Sequence, residues 1–243
     1  MDVPRLYRDL VPFYPLIDPV DDHREEMDDA HKVLLGRVRG ELTNLLELGS
    51  GAGNNAFHMK RHVACTLTDI SDPMLALSRS QNPECEHIIG DMRSLRLGRT
   101  FDAVLVHDAI MYMRTLDDLR AAALTAWTHT RAGGAALFLL DCTQETFSQD
   151  VTDIVDGDDG TRAVRGVIWS WDPDPSDTMA FEEFILLLRE GNGVRAIHET
   201  HVFGVFSKAA WQATLEDVGF VVEASSRMSE GEPFPSFICT RPE

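Results

Sequence analysis

The sequence predicts an α/β fold: a mainly parallel sheet covered by helices on both faces, with an antiparallel addition late in the chain. Three observations carry this. Between Asn44 and Phe138, short apolar runs alternate with helix-forming stretches, and strands apolar on both faces and separated by helices imply a parallel sheet buried on both sides. After Asp141 the texture changes to long strand-like runs joined by a hairpin signal. After Val205 one helix and two strand-like runs restore the earlier pattern.

Taken in order, residues 1–43 hold Tyr7, Tyr14 and a helical HREEMDDAHKVLLGRV, a cap that can lie over one end of the sheet. TNLLELG is a short apolar strand ending in glycine, NNAFHMKRHV a helix, and ACTLTDI a β-branched strand. DPMLALSRSQ is helical, with Pro73 near its start. CEHIIGD and FDAVLVHD are strands, DDLRAAALTAWTHTRAGG an alanine-rich helix closed by Gly133 and Gly134, and AALFLLD a buried strand. This cofactor-sized core spans 44–142. In 143–205, RAVRGVIWSW, MAFEEFILLLRE and VRAIHETHVFGVF read as strands and EGNG as a hairpin, while the acidic DIVDGDDG reads as a solvated loop. Residues 206–243 supply the helix SKAAWQATLEDVGF and the strands VVEAS and PSFICTR. The whole is expected to be one domain.

The chain has 243 residues and a formal net charge of −18, from 40 acidic and 22 basic side chains. Such a surface repels phosphate backbones and anionic lipid, which disfavours nucleic acid and membranes and favours a neutral or cationic small molecule as partner. No apolar run approaches the roughly 18 residues that cross a bilayer. The opening MDVPRLYRDL carries charges and a proline where a signal peptide is apolar, so a cytoplasmic location is expected. Cys65, Cys85, Cys142 and Cys239 form no CxxC pair and read as reduced, packed side chains.

Chemistry in such sheets collects beyond the carboxyl ends of the strands. Those ends here carry Glu47 with Gly49, Gly51 and Gly53; Asp69; Gly90, Asp91 and Met92; His107 and Asp108; and Asp141. A dinucleotide fingerprint, G-x-G-x-x-G, would need a small residue where Asn54 stands. Glu47 also suits a cationic amino group better than a pyrophosphate. Asp69, after the second strand, is placed to accept hydrogen bonds from ribose hydroxyls.

ELGSGAG, TDIS followed by DPML, and GDMRSLRLGRTFDAVL together resemble the class I S-adenosylmethionine-dependent methyltransferases, in particular the small-molecule group containing the N,N-dimethyltransferases of macrolide amino sugars. The resemblance covers 44–140 well and 206–240 more loosely. It implies a Rossmann-like seven-stranded sheet with an antiparallel β insert after the fifth strand, and S-adenosylmethionine as cofactor. It further implies that Glu47, Gly49 and Gly51 line the methionine part, Asp69 takes the ribose, Asp91 the adenine amino group, and Met74 and Met92 the adenine faces.

Methyl transfer asks the protein chiefly to hold donor and acceptor in line in a water-poor pocket. His107, Asp108 and Tyr112 are the catalytic candidates, at the fourth strand's end and one turn beyond; His107 is also counted among the cofactor contacts. Tyr14, with Tyr7, is placed to cap the cofactor through a ring or a hydroxyl. The expected acceptor is the amine of an amino sugar or similar metabolite, with a possible homodimer as assembly and no bound metal. Two alternatives stand beside this. A magnesium-dependent O-methyltransferase would use Asp108 and Asp141, although Cys142 is a poor ligand there; a cofactor-binding partner protein would have no activity of its own. His58 and His62 share a helical face but lack a third ligand and are expected in solvent. Trp169 and Trp171 are expected in the core of the insert, and Glu182, Glu183, His198, Glu199 and His201 mostly on its solvated face.

Overall fold

The computed structural model describes residues 3–229 and 232–243. The chain opens with short 3-10 turns at Arg5–Tyr7, Val11–Leu16 and Val20–His23, leading into α1 (Arg24–Arg37). Strands and helices then alternate: β1 (Asn44–Leu48), α2 (Asn54–Met59), β2 (Ala64–Asp69), α3 (Asp72–Gln81), β3 (Glu86–Ile89), β4 (Phe101–Val106), α4 (Leu116–His129) and β5 (Thr130–Leu139), with a 3-10 turn at Asp108–Tyr112. Four strands follow, β6 (Val151–Asp158), β7 (Arg162–Trp171), β8 (Met179–Glu190) and β9 (Gly193–Gly204), then α5 (Lys208–Asp217), β10 (Val221–Ser229) and β11 (Glu232–Thr240).

The first sheet has seven strands in the order β10-β11-β5-β4-β1-β2-β3. β1 to β5 pair in parallel, and β11 runs against both its neighbours. Strand alternation divides its two faces. Leu46 and Leu48 meet Val104, Val106, Leu119 and Trp211 under α4 and α5, whereas Leu45 joins Leu67, Leu105, Met27 and Leu34 under α1 and α2. Burying each such side chain contributes roughly 1.5–3 kcal/mol relative to leaving it in water. The helices are started by their sequences: the Ser71 hydroxyl accepts from Met74 N with Pro73 in the first turn, and the Thr115 hydroxyl accepts from Asp118 N.

The second sheet, β6-β7-β8-β9, is antiparallel throughout and inserted after β5. Its inner face, with Val164, Phe184, Leu186 and Ile197, packs on Leu6, Leu10 and Phe13 of the N-terminal turns. The insert and the N-terminus therefore close together over the carboxyl ends of β1 to β5.

Three local expectations are corrected. The acidic run is the edge strand β6, not a loop: its backbone pairs with β7 from Val151 to Asp158 while Asp156 and Asp158 meet Arg165. α4 stops at His129, and Thr130 to Gly134 belong to β5, where the register against β4 shifts and a Cβ on Gly134 would lie 2.7 Å from Asp102 O. α2 is only six residues long.

Candidate active site

A cavity of about 330 Å³ lies at the carboxyl ends of the parallel strands, within the range of sites that enclose a small molecule. Its wall brings together Gly49, Gly51, Asp69, Met74, Asp91, Met92, His107, Asp108 and Tyr112, with Tyr7 and Tyr14 from the N-terminus, Asp141 after β5, and Glu182 and Phe203 from the insert.

The loop after β1 is shaped by its glycines. Gly49, Gly51 and Gly53 have φ of +76°, +50° and +76°, a region that costs other residues roughly 1–2 kcal/mol. A Cβ on Gly49 would also lie 2.5 Å from Ala109 Cβ and 2.7 Å from Met92 Cε. Asp69 fixes the loop to the end of β2: its carboxylate accepts from Gly51 N at 2.9 Å and Ser71 N at 2.7 Å. Burial nevertheless raises its pKa above the usual carboxylate value. This cradle leaves backbone beside a half-buried carboxylate, and fits a ligand carrying hydroxyl donors. Asp91 is engaged by Arg93, whose Nε and Nη2 donate to it at 3.0 and 2.6 Å, and Arg93 continues to Asp118.

Glu47 does not reach the cavity surface. Strand alternation sends it to the α1–α2 side, fully buried, where its Oε1 accepts from Asn55 Nδ2 at 2.9 Å and its Oε2 has no partner among the described residues. Burial pushes it up to about 7. Asn55 does line the cavity and passes the connection on: His23 Nδ1 donates to Asn55 Oδ1 at 2.8 Å and His23 Nε2 to Asp18 Oδ1 at 2.7 Å. Asp18 also accepts from Tyr14 Oη at 2.6 Å and Asn54 Nδ2 at 3.0 Å. This run of polar groups fastens the N-terminal turns to the glycine loop.

His107 lies between two carboxylates. Its Nδ1 is 2.9 Å from Asp108 Oδ2 and its Nε2 3.1 Å from Glu26 Oε1. Burial works against its charge, yet Asp108 and Glu26 outweigh burial and raise it to about 10. Arg227 of β10 bonds to Glu26 and, at 3.1 Å, to Asp108. Against the cost of burial, His107 and Arg227 hold Asp108 at about 2. Asp141, open to the cavity beside Asp108, is pushed well above the usual range by its distance from bulk solvent and by that charge, and partial burial also raises Glu182.

The insert contributes more than expected. His201 is buried, with Nδ1 2.8 Å from Tyr112 Oη, and Tyr112 Oη is 3.0 Å from Tyr7 Oη. Glu199 accepts the backbone N–H groups of Arg5 and Leu6. The expectation of a solvated face holds for His198 but fails for Glu182, Glu199 and His201, because alternation along β8 and β9 turns them inward. His58 is likewise buried, donating to Val20 O at 2.7 Å, while His62 stacks on His31. Trp169 and Trp171 stack on each other at 5.7 Å, with Trp169 39% exposed rather than in the insert core.

Sequence reasoning missed Asp18, His23, Glu26, Asn55 and Arg227. Asp18, His23, Glu26 and Arg227 come from elements distant in the chain and stand in no motif, whereas Asn55 directly follows the glycine loop at the start of α2; the only available signal was the presence of polar residues within otherwise apolar or helical runs.

Residues 45–134 match the family described as a methyltransferase domain. A curated relative is the dTDP-3-amino-3,4,6-trideoxy-alpha-D-glucopyranose N,N-dimethyltransferase of Streptomyces venezuelae, 28% identical over 206 residues, which are 83% of this chain and 85% of that one. Another is the dTDP-4-amino-2,3,4,6-tetradeoxy-D-glucose N,N-dimethyltransferase of Saccharopolyspora spinosa, 25% identical, covering 75% of this chain and 73% of the relative. Among solved structures, Streptomyces venezuelae DesVI superposes with a TM-score of 0.84 at 24% identity, over 96% of this chain and 97% of that one. CalS10, an amino pentose methyltransferase solved with S-adenosylmethionine bound, superposes at 0.77 and 23% identity, over 90% and 91%. Residues 45–134 thus carry a methyltransferase domain at the strand-end cavity, and over most of its length the chain is similar to S-adenosylmethionine-dependent sugar N-methyltransferases.

Proposed function

We propose that this methyltransferase acts on the amine of an amino sugar or similar small metabolite. The observation that carries the reading is the acidic end of the cavity. Asp141 and Glu182 face it beside Asp108, with pKa values raised by distance from bulk solvent and by the Asp108 charge, an acidic arrangement that an ammonium group complements. The nearby cations are committed elsewhere: His107 and Arg227 are paired with Glu26 and Asp108. The curated relatives' names, which specify amino sugars, point the same way.

When bound, S-adenosylmethionine supplies an electrophilic methyl group. In this proposal Asp69 takes the ribose hydroxyls, Met74 and Met92 flank the adenine, and Asp91 meets its amino group with a carboxylate shared with Arg93. Gly49 and Gly51 give the methionine part room beside the main chain, Glu47 acts on it only through Asn55, and Tyr14 closes the site from the N-terminus. His107 and Asp108 form a fixed charge pair that shapes the cofactor's sulfonium end. Tyr112 faces the acceptor. The insert excludes water.

The magnesium reading is disfavoured by the donor set. Asp108 is already paired with two cations, and Cys142 beside Asp141 is a poor ligand for a hard divalent ion. We also infer a cytoplasmic location, where the four free thiols stay reduced; among the described residues no helix is long and apolar enough to cross a membrane. Ile154, Ile185, Leu187 and Val194 expose apolar surface on the insert's outer face, which supports a homodimer and can be checked by sedimentation. The acceptor is tested by initial rates on amino-sugar nucleotides and their hydroxyl counterparts, with and without chelator. Amine turnover indifferent to chelation is expected. Hydroxyl preference lost on chelation would restore the metal reading, and cofactor binding with no turnover the partner-protein one.

A further inference from the structure

We propose that His201 is a positioning residue that, acting through Tyr112, stores the proton an amine acceptor must lose before its lone pair can react. The proposal rests on the amine reading given above. At neutral pH a sugar amine arrives largely as an ammonium, and methyl transfer needs the free lone pair. The cavity's other ionisable groups are poorly suited to take that proton. His107 already carries one between Asp108 and Glu26, and His23 is bonded at both nitrogens, to Asn55 and Asp18. Asp141 and Glu182, once ionised, pair with the ammonium and hold its charge in place.

His201 is different. It lies on β9 in register with Glu182 of β8, boxed by Phe184 at 4.3 Å and Phe203 at 6.2 Å between ring centres. The titratable groups facing it are Tyr7 of the first turn, Tyr112 of the turn after β4, Glu182 of β8 and Glu199 of its own strand. Its Nδ1 bonds Tyr112 Oη at 2.8 Å, and its Nε2, buried and without a hydrogen-bond partner among the described residues, is directed at Glu199 Oε2 3.5 Å away.

Tyr112 has one hydroxyl proton and two oriented neighbours, so the run Tyr7–Tyr112–His201 has two directions. With His201 neutral, Tyr7 donates to Tyr112 and Tyr112 donates to Nδ1. With His201 cationic, Nδ1–H donates to Tyr112, which donates to Tyr7. Passing between them moves one proton: an N–H bond of the ammonium breaks, its proton bonds to Tyr112 Oη, and the former hydroxyl proton bonds to His201 Nδ1. The acceptor is left neutral with its lone pair free, and the positive charge resides on the imidazole beside Glu199. Glu199 is held ionised by the N–H groups of Arg5 and Leu6 and by His201 itself, in spite of burial. Its side chain is 12% exposed, giving the Nε2 proton a way to solvent. No oxidant or other reactant is needed.

The test compares wild type, His201→Gln, Tyr112→Phe and the double variant, following kcat and kcat/KM with an amino-sugar nucleotide between pH 6 and 10, with S-adenosylhomocysteine affinity measured alongside. Gln keeps a hydrogen bond to Tyr112 but cannot take a proton, and Phe removes one oxygen from the cavity wall. A positioned base contributes about 100-fold or more, so each variant is expected to lose about 100-fold in kcat at pH 7. That loss should shrink as the pH approaches the acceptor's own pKa; cofactor affinity should be unchanged and the double variant no worse than either single one. A loss equal at every pH, or confined to KM, or additive in the double variant, overturns the relay while wild-type turnover leaves the amine reading standing. Wild-type enzyme that methylates only hydroxyls overturns both.

Discussion

His107 stands at the end of β4 with a carboxylate on each ring nitrogen. A histidine whose folded pKa is raised contributes stability that is fully present below its unfolded value, near 6.5, and is lost as the pH rises through the folded value, here about 10. Its imidazole should therefore show the chemical shifts of the cation from pH 6 to 9 by nuclear magnetic resonance; a midpoint near 6.5 would remove the charge pair from the account. Gly49 is the second residue on which much depends. Gly49→Ala forces a Cβ into contact with Ala109 and Met92 at positive φ, combining roughly 1–2 kcal/mol of backbone strain with 1–3 of overpacking. The variant should unfold at clearly lower denaturant and lose cofactor affinity. Unchanged stability would mean the loop accommodates the methyl group.

Among the elements, the start of β4 is tied to its neighbours by one carboxylate. Asp102 accepts from Thr43 N and Oγ1, both at 2.8 Å, from Asn44 N at 3.1 Å, and from Arg131 Nε at 2.7 Å. Although burial opposes its charge, these partners hold it at about 2. For a lowered carboxylate the contribution is present above the unfolded value and is lost as the pH falls through the folded one, so this tie should fade between about pH 4 and 2. It is worth on the order of 2 kcal/mol. Urea unfolding of wild type and Asp102→Asn should thus differ at pH 6 and converge near pH 2; a difference independent of pH would contradict the assignment. The same elements show what the sequence could reveal. α3, β7 and β8 follow from periodicity and caps visible within each stretch. β6 was hidden because its acidic side chains break the apolar alternation, and only pairing with β7 makes it a strand. The start of β5 was hidden because Thr130 to Gly134 continue a helix-like pattern that sheet contacts override.

In the molecule as a whole, the fold and the strand-end half of the site were legible because both obey rules of order: alternating elements, and ligand contacts at successive carboxyl ends. Gly49, Gly51, Asp69 and Met74 reach the cavity on that logic, whereas Glu47 reaches only its supporting layer. The other half is built from contacts between distant segments. Tyr7 meets Tyr112 and His201, Glu26 meets Arg227, and Asp18 meets Asn54; no local pattern encodes such pairs. It is this second half, acidic and enclosed by the N-terminal turns and the insert, that the proposal assigns to the acceptor amine. The most direct test follows the methyl group itself. The enzyme would be given S-adenosylmethionine with an isotopically labelled methyl group and an amino-sugar nucleotide bearing both a free amine and a free hydroxyl, and the product read by nuclear magnetic resonance. The account predicts the label on nitrogen. Label on oxygen would contradict it.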